Sequence, residues 1–405
     1  MLTSKRISRQ ILFATAALTT VAALAFAFAF VQTRGRTDVA RLSEQARANF
    51  LASRFLEAEQ NFRGLSRRRP LEISERLMVA EFLRRRGALD DAAEAVGTPP
   101  DAGASGSLAR LLLGQIDLER NRARDAERNL LKSLELDPSQ IIPRRLLLEL
   151  YTLEGRRDEV DRASAELEAR TSLTYDELAG WMLGRRLDES AAEAVARLEA
   201  ILTADPDDLN ARVALANRLR TQGKLAAAEL TLAPIPPDHP RAAVVRAALA
   251  FDRGRLVDAA LALRPVHDNE PDAARLRGRI ALAHRQAAAA RDAFAHALEV
   301  RPDDIEALVG SIQALAMLRD VAATRTATAA LSRCESLQAL VTGGRIPSRR
   351  DDAALLVEIA RKVEELGRPQ IARGWYKLAL KQSAGDAEIQ RALFRLDQIV
   401  PRSPR

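Results

Sequence analysis

Four histidines, one cysteine and several paired carboxylates are the groups in this 405-residue chain that could do acid–base, nucleophilic or metal chemistry. His239, His267, His284 and His296 stand apart, and none forms a His-x3-His pair or sits beside a second ligand type. The spacing of a metal site is therefore missing, and solvated side chains are expected instead. Cys334 is the sole cysteine, which excludes an intrachain disulfide and a cysteine-based metal cluster and suits a buried thiol. The chain has no glycine-rich phosphate loop, no G-x-S-x-G elbow and no nucleophilic Cys/His pair. Asp90-Asp91, Asp207-Asp208, Asp303-Asp304 and Asp351-Asp352 recur where helices should start, and there they complement the helix dipole. These residues predict no enzyme, no cofactor and no metal. The chemistry left is recognition: an Asn can pair with a peptide backbone, and an Arg can hold a carboxylate through two parallel hydrogen bonds.

The elements that must position such groups are helices. The composition is 47 % hydrophobic and only 4 % aromatic, so the core is built mainly from Ala and Leu, both strong helix formers. Strictly alternating runs of β-branched and aromatic residues are absent, which predicts an all-α chain. The formal net charge is +7, but residues 1–36 carry five of the 62 basic residues and none of the 55 acids. The rest of the chain is nearly neutral and lacks an electrostatic footprint for phosphate backbones, so nucleic acid is an unlikely partner.

Ile11 to Val31 is a 21-residue stretch without a charge. At about 1.5 Å per residue it spans a hydrocarbon core of about 30 Å. Lys5, Arg6 and Arg9 precede it, and Arg34, Arg36, Arg41 and Arg47 follow. The expectation is one retained transmembrane helix over 11–31, after a short basic tail (1–10) and before a linker (32–38). It makes the lipid bilayer a partner. The alternative is a cleaved secretory signal, for which Ala27-Phe28-Ala29 offers a small-residue site. The short N-terminal tail suits an arrangement with the body on the extracytoplasmic side.

The body repeats itself. Ala290, Phe294 and Ala297 share one helix face, and Pro302 ends the unit. The same order returns in Ala126, Leu130, Ser133 and Pro138, and in Ala194, Leu198, Ile201 and Pro206. Units start near 39, 73, 107, 141, 175 and 209, each 34 residues apart, then near 240, 271, 303 and 353. Their eighth positions are mostly small (Ala46, Ala80, Gly114, Ala216, Ala247, Gly278, Gly310, Ala360). Nine of the ten twentieth positions are alanine, from Ala58 to Ala372, and half of the fifteenth positions are glycine. In period and in these positions the array resembles the tetratricopeptide repeat family. The resemblance implies a right-handed superhelical solenoid of helix–turn–helix repeats with a C-terminal capping helix.

On this reading 39–340 is a repeat array, 341–352 a loop or hinge, 353–400 the last repeat and capping helix, and 401–405 a disordered tail. Asp101 to Gly106 reads as a loop following a shortened second helix. Pro234, Pro236, Pro237 and Pro265 truncate two further second helices, where the unit spacing drops to 31. Thr326 stands where the unit starting near 303 should have a large apolar residue. Ile389, Leu393, Leu396 and Ile399 form the apolar face of the cap.

The resemblance also implies a concave groove lined by the first helix of each unit. The groove positions are Arg145 and Glu149; Asn210, Asn217 and Arg220; Asp272, Arg275 and Arg279; and Arg361. No three successive units carry the lysine/asparagine set with which chaperone-binding members clamp a terminal carboxylate. The function expected is a membrane-anchored scaffold that recruits peptide segments or helices of other proteins, in a cell-envelope assembly or export complex. A secreted soluble adaptor is the alternative, and a nucleic-acid-binding solenoid using Arg345, Arg349 and Arg350 is the second alternative.

Overall fold

A computed structural model describes residues 38–400 apart from 185–188, 268–269, 345 and 347–348. The predicted membrane span (11–31) and tail (401–405) lie outside the described residues. Among the described residues no helix is long and apolar enough to cross a membrane, and there is no strand.

The helices alternate along the chain as the first and second helices of successive repeats. They are α1 (38–51) with α2 (Phe55–Ser66), α3 (Ile73–Arg85) with α4 (Leu89–Val96), and α5 (Gly103–Glu119) with α6 (Ala123–Leu136). Next are α7 (Ile142–Leu153) with α8 (Arg157–Arg170), α9 (Tyr175–Leu183) with α10 (Ala191–Ala204), and α11 (Leu209–Thr221) with α12 (Leu225–Leu232). Then follow α13 (Pro240–Asp252) with α14 (Leu256–Ala262), α15 (Pro271–Ala283) with α16 (Ala287–Val300), and α17 (Ile305–Met317) with α18 (Val321–Gly343). The last pair is α19 (Ala353–Glu365) with α20 (Pro369–Gln382), and α21 (Ala387–Ile399) covers it. The chain divides into two compact units, Met1–Ile116 and Asp117–Arg405.

Two boundaries differ from the sequence reading. Helix α5 begins at Gly103, so the second half of the Asp101–Gly106 stretch is helical; Gly106 and Ser107 are buried there. Helix α18 runs to Gly343, three residues into the stretch read as a loop or hinge. A tertiary contact holds that extra turn: Val341 is fully buried and its carbonyl accepts the Tyr175 hydroxyl at 2.6 Å.

The repeat grammar works through small residues and one large one. Phe294 on α16 is fully buried, and its ring is bracketed by Gly278 of its own pair and Gly310 of the next. A methyl group added at Gly278 would stand 2.7 Å from the ring, and one at Gly310 would stand 2.2 Å from it. The glycines are needed here because the ring occupies the space of their side chains. Ala290 and Ala297 flank it, both fully buried. Every twentieth position from Ala58 to Ala372 is buried except Ala322, which is exposed on the degenerate α18.

Helices α12 and α14 are short because prolines end them, and the same device closes each. Arg246 donates to the carbonyls of Leu232 (3.2 Å), Ile235 and Pro236 (3.0 Å) at the end of the α12 segment. Arg277 does so for Leu263 (3.1 Å), Val266 (2.6 Å) and His267 (3.2 Å) after α14. A guanidinium from the next first helix thus satisfies carbonyls that a longer helix would have paired internally.

The first unit holds a buried charge of its own. Glu75 is fully buried and accepts from Ser43 Oγ (2.6 Å), Arg69 (2.8 Å) and the Glu72 amide (2.9 Å). Burial alone would raise its pKa, but these donors hold the carboxyl down at about 2.

In the second unit the array returns on itself. Helix α20 packs against α8 and α9, so the last pair meets the fourth and fifth. Glu168 on α8 is buried and accepts from Arg373 (Nε to Oε1 2.9 Å) and from Lys377 (2.7 Å). Tyr175 meets Trp375 edge to face, with ring centroids 5.1 Å apart. A methyl group at Gly374 would lie 2.5 Å from the Leu178 side chain, and one at Gly344 would lie 2.3 Å from the Tyr175 hydroxyl. Arg350 completes the join, pairing with Asp176 at 2.8 Å and lying over the Tyr175 ring.

Candidate functional site

Beside this join lies a half-open cavity of about 730 Å³. Its wall comes from six successive pairs, beginning at the α7–α8 turn and ending at the start of α17. Helices α11, α13 and α15 supply most of the wall, and side-chain caps fix their first turns. Asp208 accepts from the Ala211 amide (3.0 Å), His239 from Ala242 (3.3 Å) and Glu270 from Ala273. His239 is thereby a cap, not the solvated side chain its loop position suggested, and burial pushes its pKa down.

The wall is charged, and its charges are ordered. Arg220 reaches Asp252 at 2.6 Å, and Arg275 reaches Asp304 at 2.7 Å. Each pair joins consecutive first helices, 32 and 29 residues apart. Arg301 bridges Asp272 (3.1 Å) and Asp158 (3.5 Å), tying the eighth pair to the fourth. Arg368 likewise reaches Asp303 at 2.8 Å and Asp161 at 3.8 Å. Burial would raise the Asp272 pKa, but Arg301 and Arg275 hold it below the usual carboxylate range.

Glu154 has the opposite fate. It is 2 % exposed, and although Arg156 lies 3.2 Å away, burial and the nearby Asp208 push its pKa up to about 8. Arg156 is shared with Glu127 (2.8 Å) and Glu159 (3.1 Å) and lies over the Tyr151 ring. Arg241 is half-buried in the wall, and it donates to the Glu154 carbonyl (2.7 Å) and to Asn210 (3.0 Å).

Of the nine residues predicted from groove positions, the cavity gathers Asn217, Arg220, Asp272, Arg275 and Arg279. Asn210 stands behind the wall as the acceptor for Arg241. Arg145 pairs with Glu177 at 2.7 Å, Glu149 is exposed on α7, and Arg361 pairs with Glu388 on α21. Those three lie outside the cavity. Arg145, Arg220, Arg275 and Arg361 are all engaged in bridges between neighbouring repeats. The wall residues best placed to meet a ligand are Asn217, which is exposed, and Arg279, which stacks on Phe251 at 4.3 Å and reaches Asp252 at only 3.8 Å.

Residues 185–250 match the family model described as tetratricopeptide repeat. That segment carries α10 to α12 and most of α13, and with them Asn217 and Arg220. No curated protein matches the sequence. Among solved structures, the chain is similar to one described as the crystal structure of the APC/C hetero-tetramer Cut9–Hcn1. The two share 13 % identity over 87 % of this chain and 88 % of that one, with a TM-score of 0.35. It is also similar to the structure of Naa15/Naa10 bound to HypK-THB, at 14 % identity over 89 % and 66 % of the chains, with a TM-score of 0.27.

Sequence reasoning missed Glu154, Arg156, Arg241, Asp252 and Arg301. Arg241 holds the same second position of its unit as Asn210 and Asp272, whereas the other four sit at helix ends, outside the groove positions of the repeat. Opposite charges one repeat period apart were a usable signal, since Arg220 and Asp252 or Arg275 and Asp304 can be found that way. Nothing of the kind marks Arg301 with Asp158, 143 residues apart. The alternative basic patch at Arg345, Arg349 and Arg350 loses a member, because Arg350 is committed to Asp176 and Tyr175. Cys334 is buried, and burial followed by the Asp303 charge pushes its thiol up to about 11.

Proposed function

We propose that this chain acts by binding other proteins, as a repeat scaffold without catalysis of its own, and that the partner occupies the central cavity of the second unit. One observation carries the reading: side chains from six successive pairs converge on one charged cavity, with Asn217 and Arg279 accessible in its wall. An amide and a stacked guanidinium suit a peptide's backbone and carboxylates. The uncharged stretch 11–31 supports a single membrane anchor, with the body outside the cytoplasm and a role in envelope assembly or export. Ala27-Phe28-Ala29 favours a second reading, a secreted adaptor with a cleaved N-terminus. The intact mass of the purified protein separates the two, because removal of about the first 27–29 residues ends the anchor reading.

Proximity labelling in the native cell tests the binding claim, comparing the wild type with Asn217→Ala/Arg279→Ala. The expected result is loss of a defined set of labelled proteins at unchanged thermal midpoint. An unchanged set removes the cavity from the account.

A further inference from the structure

The cavity wall keeps hydrogen-bond donors in hand after its own contacts are made, and those donors name the chemistry of a ligand. We propose that the wall along α11, α13 and α15 binds a short, extended, acidic peptide segment, held by Asn217, Arg218 and Arg279. The proposal rests on the binding reading above and adds the charge, length and place of the partner's segment.

Each carboxylate of the wall already faces a cation or a backbone amide. The cations are not all matched in return. Arg218 lines the wall and has no ion-pair partner among the described residues. Arg279 reaches only Asp252, at 3.8 Å, and Arg220 already holds that carboxylate at 2.6 Å. The Phe251 ring keeps the Arg279 guanidinium in place. Asn217 is committed on one side: its Oδ1 accepts from Arg220 Nε at 3.1 Å, which leaves the Nδ2 amide to donate to a ligand. The three uncommitted groups are therefore all donors, and two are charged. A ligand that answers them carries acceptors and negative charge.

The repeat register sets its length. Asn217, Ala248 and Arg279 hold the ninth positions of consecutive units, and α11 packs on α13 and α13 on α15. Two helix spacings of about 8–10 Å separate the ends, which about five or six extended residues cover. Between them, Val244 and Ala248 offer a small apolar floor. Asp158 and Glu306 are the most exposed carboxylates of the wall and stand in the first turns of α8 and α17. They repel an acidic segment from those edges and leave it the α11–α15 stretch.

The test selects phage-displayed random decapeptides on the purified full chain. The wild type should enrich peptides in which Asp and Glu outnumber Lys and Arg by about threefold. Asn217→Asp keeps the acceptor that Arg220 uses and replaces the free donor by a charge, and Arg218→Glu loses no ion pair. The double variant Asn217→Asp/Arg218→Glu should therefore keep its thermal midpoint. It should bind the selected acidic peptides about tenfold more weakly in fluorescence anisotropy and select basic peptides in their place. A wild-type selection without acidic excess overturns the proposal, and so does one that yields no peptide. Acidic peptides that bind the double variant as well as the wild type overturn it too. Displacement of those peptides by a single-stranded oligonucleotide of equal charge does the same, because it reports charge attraction without a fitted segment. The two readings fail separately: Asn217→Ala/Arg279→Ala can strip the labelled proteins while the selection shows no acidic excess, which keeps the cavity and ends the acidic assignment.

Discussion

The two kinds of contact in the second unit hold the chain by different physics. Between neighbouring repeats, Phe294 fills the space left by Gly278 and Gly310, an apolar contact over a short sequence separation. Across the join, Glu168 and Arg373 meet as buried charges with the half-buried Lys377 beside them, more than 200 residues apart in the chain. The first contact is strong because water is excluded from a well-packed ring. The second is specific, since its charges fit one partner geometry and are costly anywhere else. The array therefore has one packing rule repeated from unit to unit and one contact between distant residues that depends on matched charges.

Breaking each kind of contact should show this ranking. Phe294→Ala leaves a void in a close-packed layer and should cost about 3–5 kcal/mol in urea unfolding. Glu168→Ala should cost less than Phe294→Ala in the same assay, because Arg373 keeps a second carboxylate, Asp397, at 3.3 Å. Were Asp397 unable to compensate, the abandoned Arg373 would cost about 3–5 kcal/mol, and the two variants would be alike.

Two buried carboxylates sharpen the contrast through pH, in opposite directions. The Glu154 pKa is raised from 4.5 to about 8, so its contribution is complete below pH 4.5 and is lost as pH rises through 8. Glu154→Gln should flatten that slope in thermal melts between those limits. Glu75 is lowered from 4.5 to about 2, so its contribution is present above pH 4.5 and disappears as pH falls towards 2. Glu75→Gln should weaken the first unit at neutral pH and remove its acid sensitivity. The smallest effect belongs to the ladder: Arg220→Ala breaks a partly exposed pair and should cost less than about 1 kcal/mol.

Much of this architecture is legible in the residues. Alanine at the twentieth position, small residues at the eighth and the closing prolines place the pairs because they state packing distances directly. Ala322 shows the limit, since the same letter in the same register is exposed on the degenerate α18. The join is not legible at all. Periodicity describes what each unit does to its neighbour, and nothing local to Glu168 names Arg373. The site is half legible for the same reason. Asn217 and Arg279 follow from repeat position, whereas Glu154 and Arg301 reach the cavity only because the array curves back.

That return also orders events during synthesis. Helix pairs of a repeat array can form as they emerge, each on its predecessor. The carbonyl, the arginine and the lysine that meet Tyr175 and Glu168 are made more than 160 residues later. The second unit must therefore spend part of its biogenesis as an open arc with Glu168 and Tyr175 facing water. The charge of Glu168 and the hydroxyl of Tyr175 dilute the apolar surface that Leu178 and the Tyr175 ring leave on the waiting edge until its other half arrives.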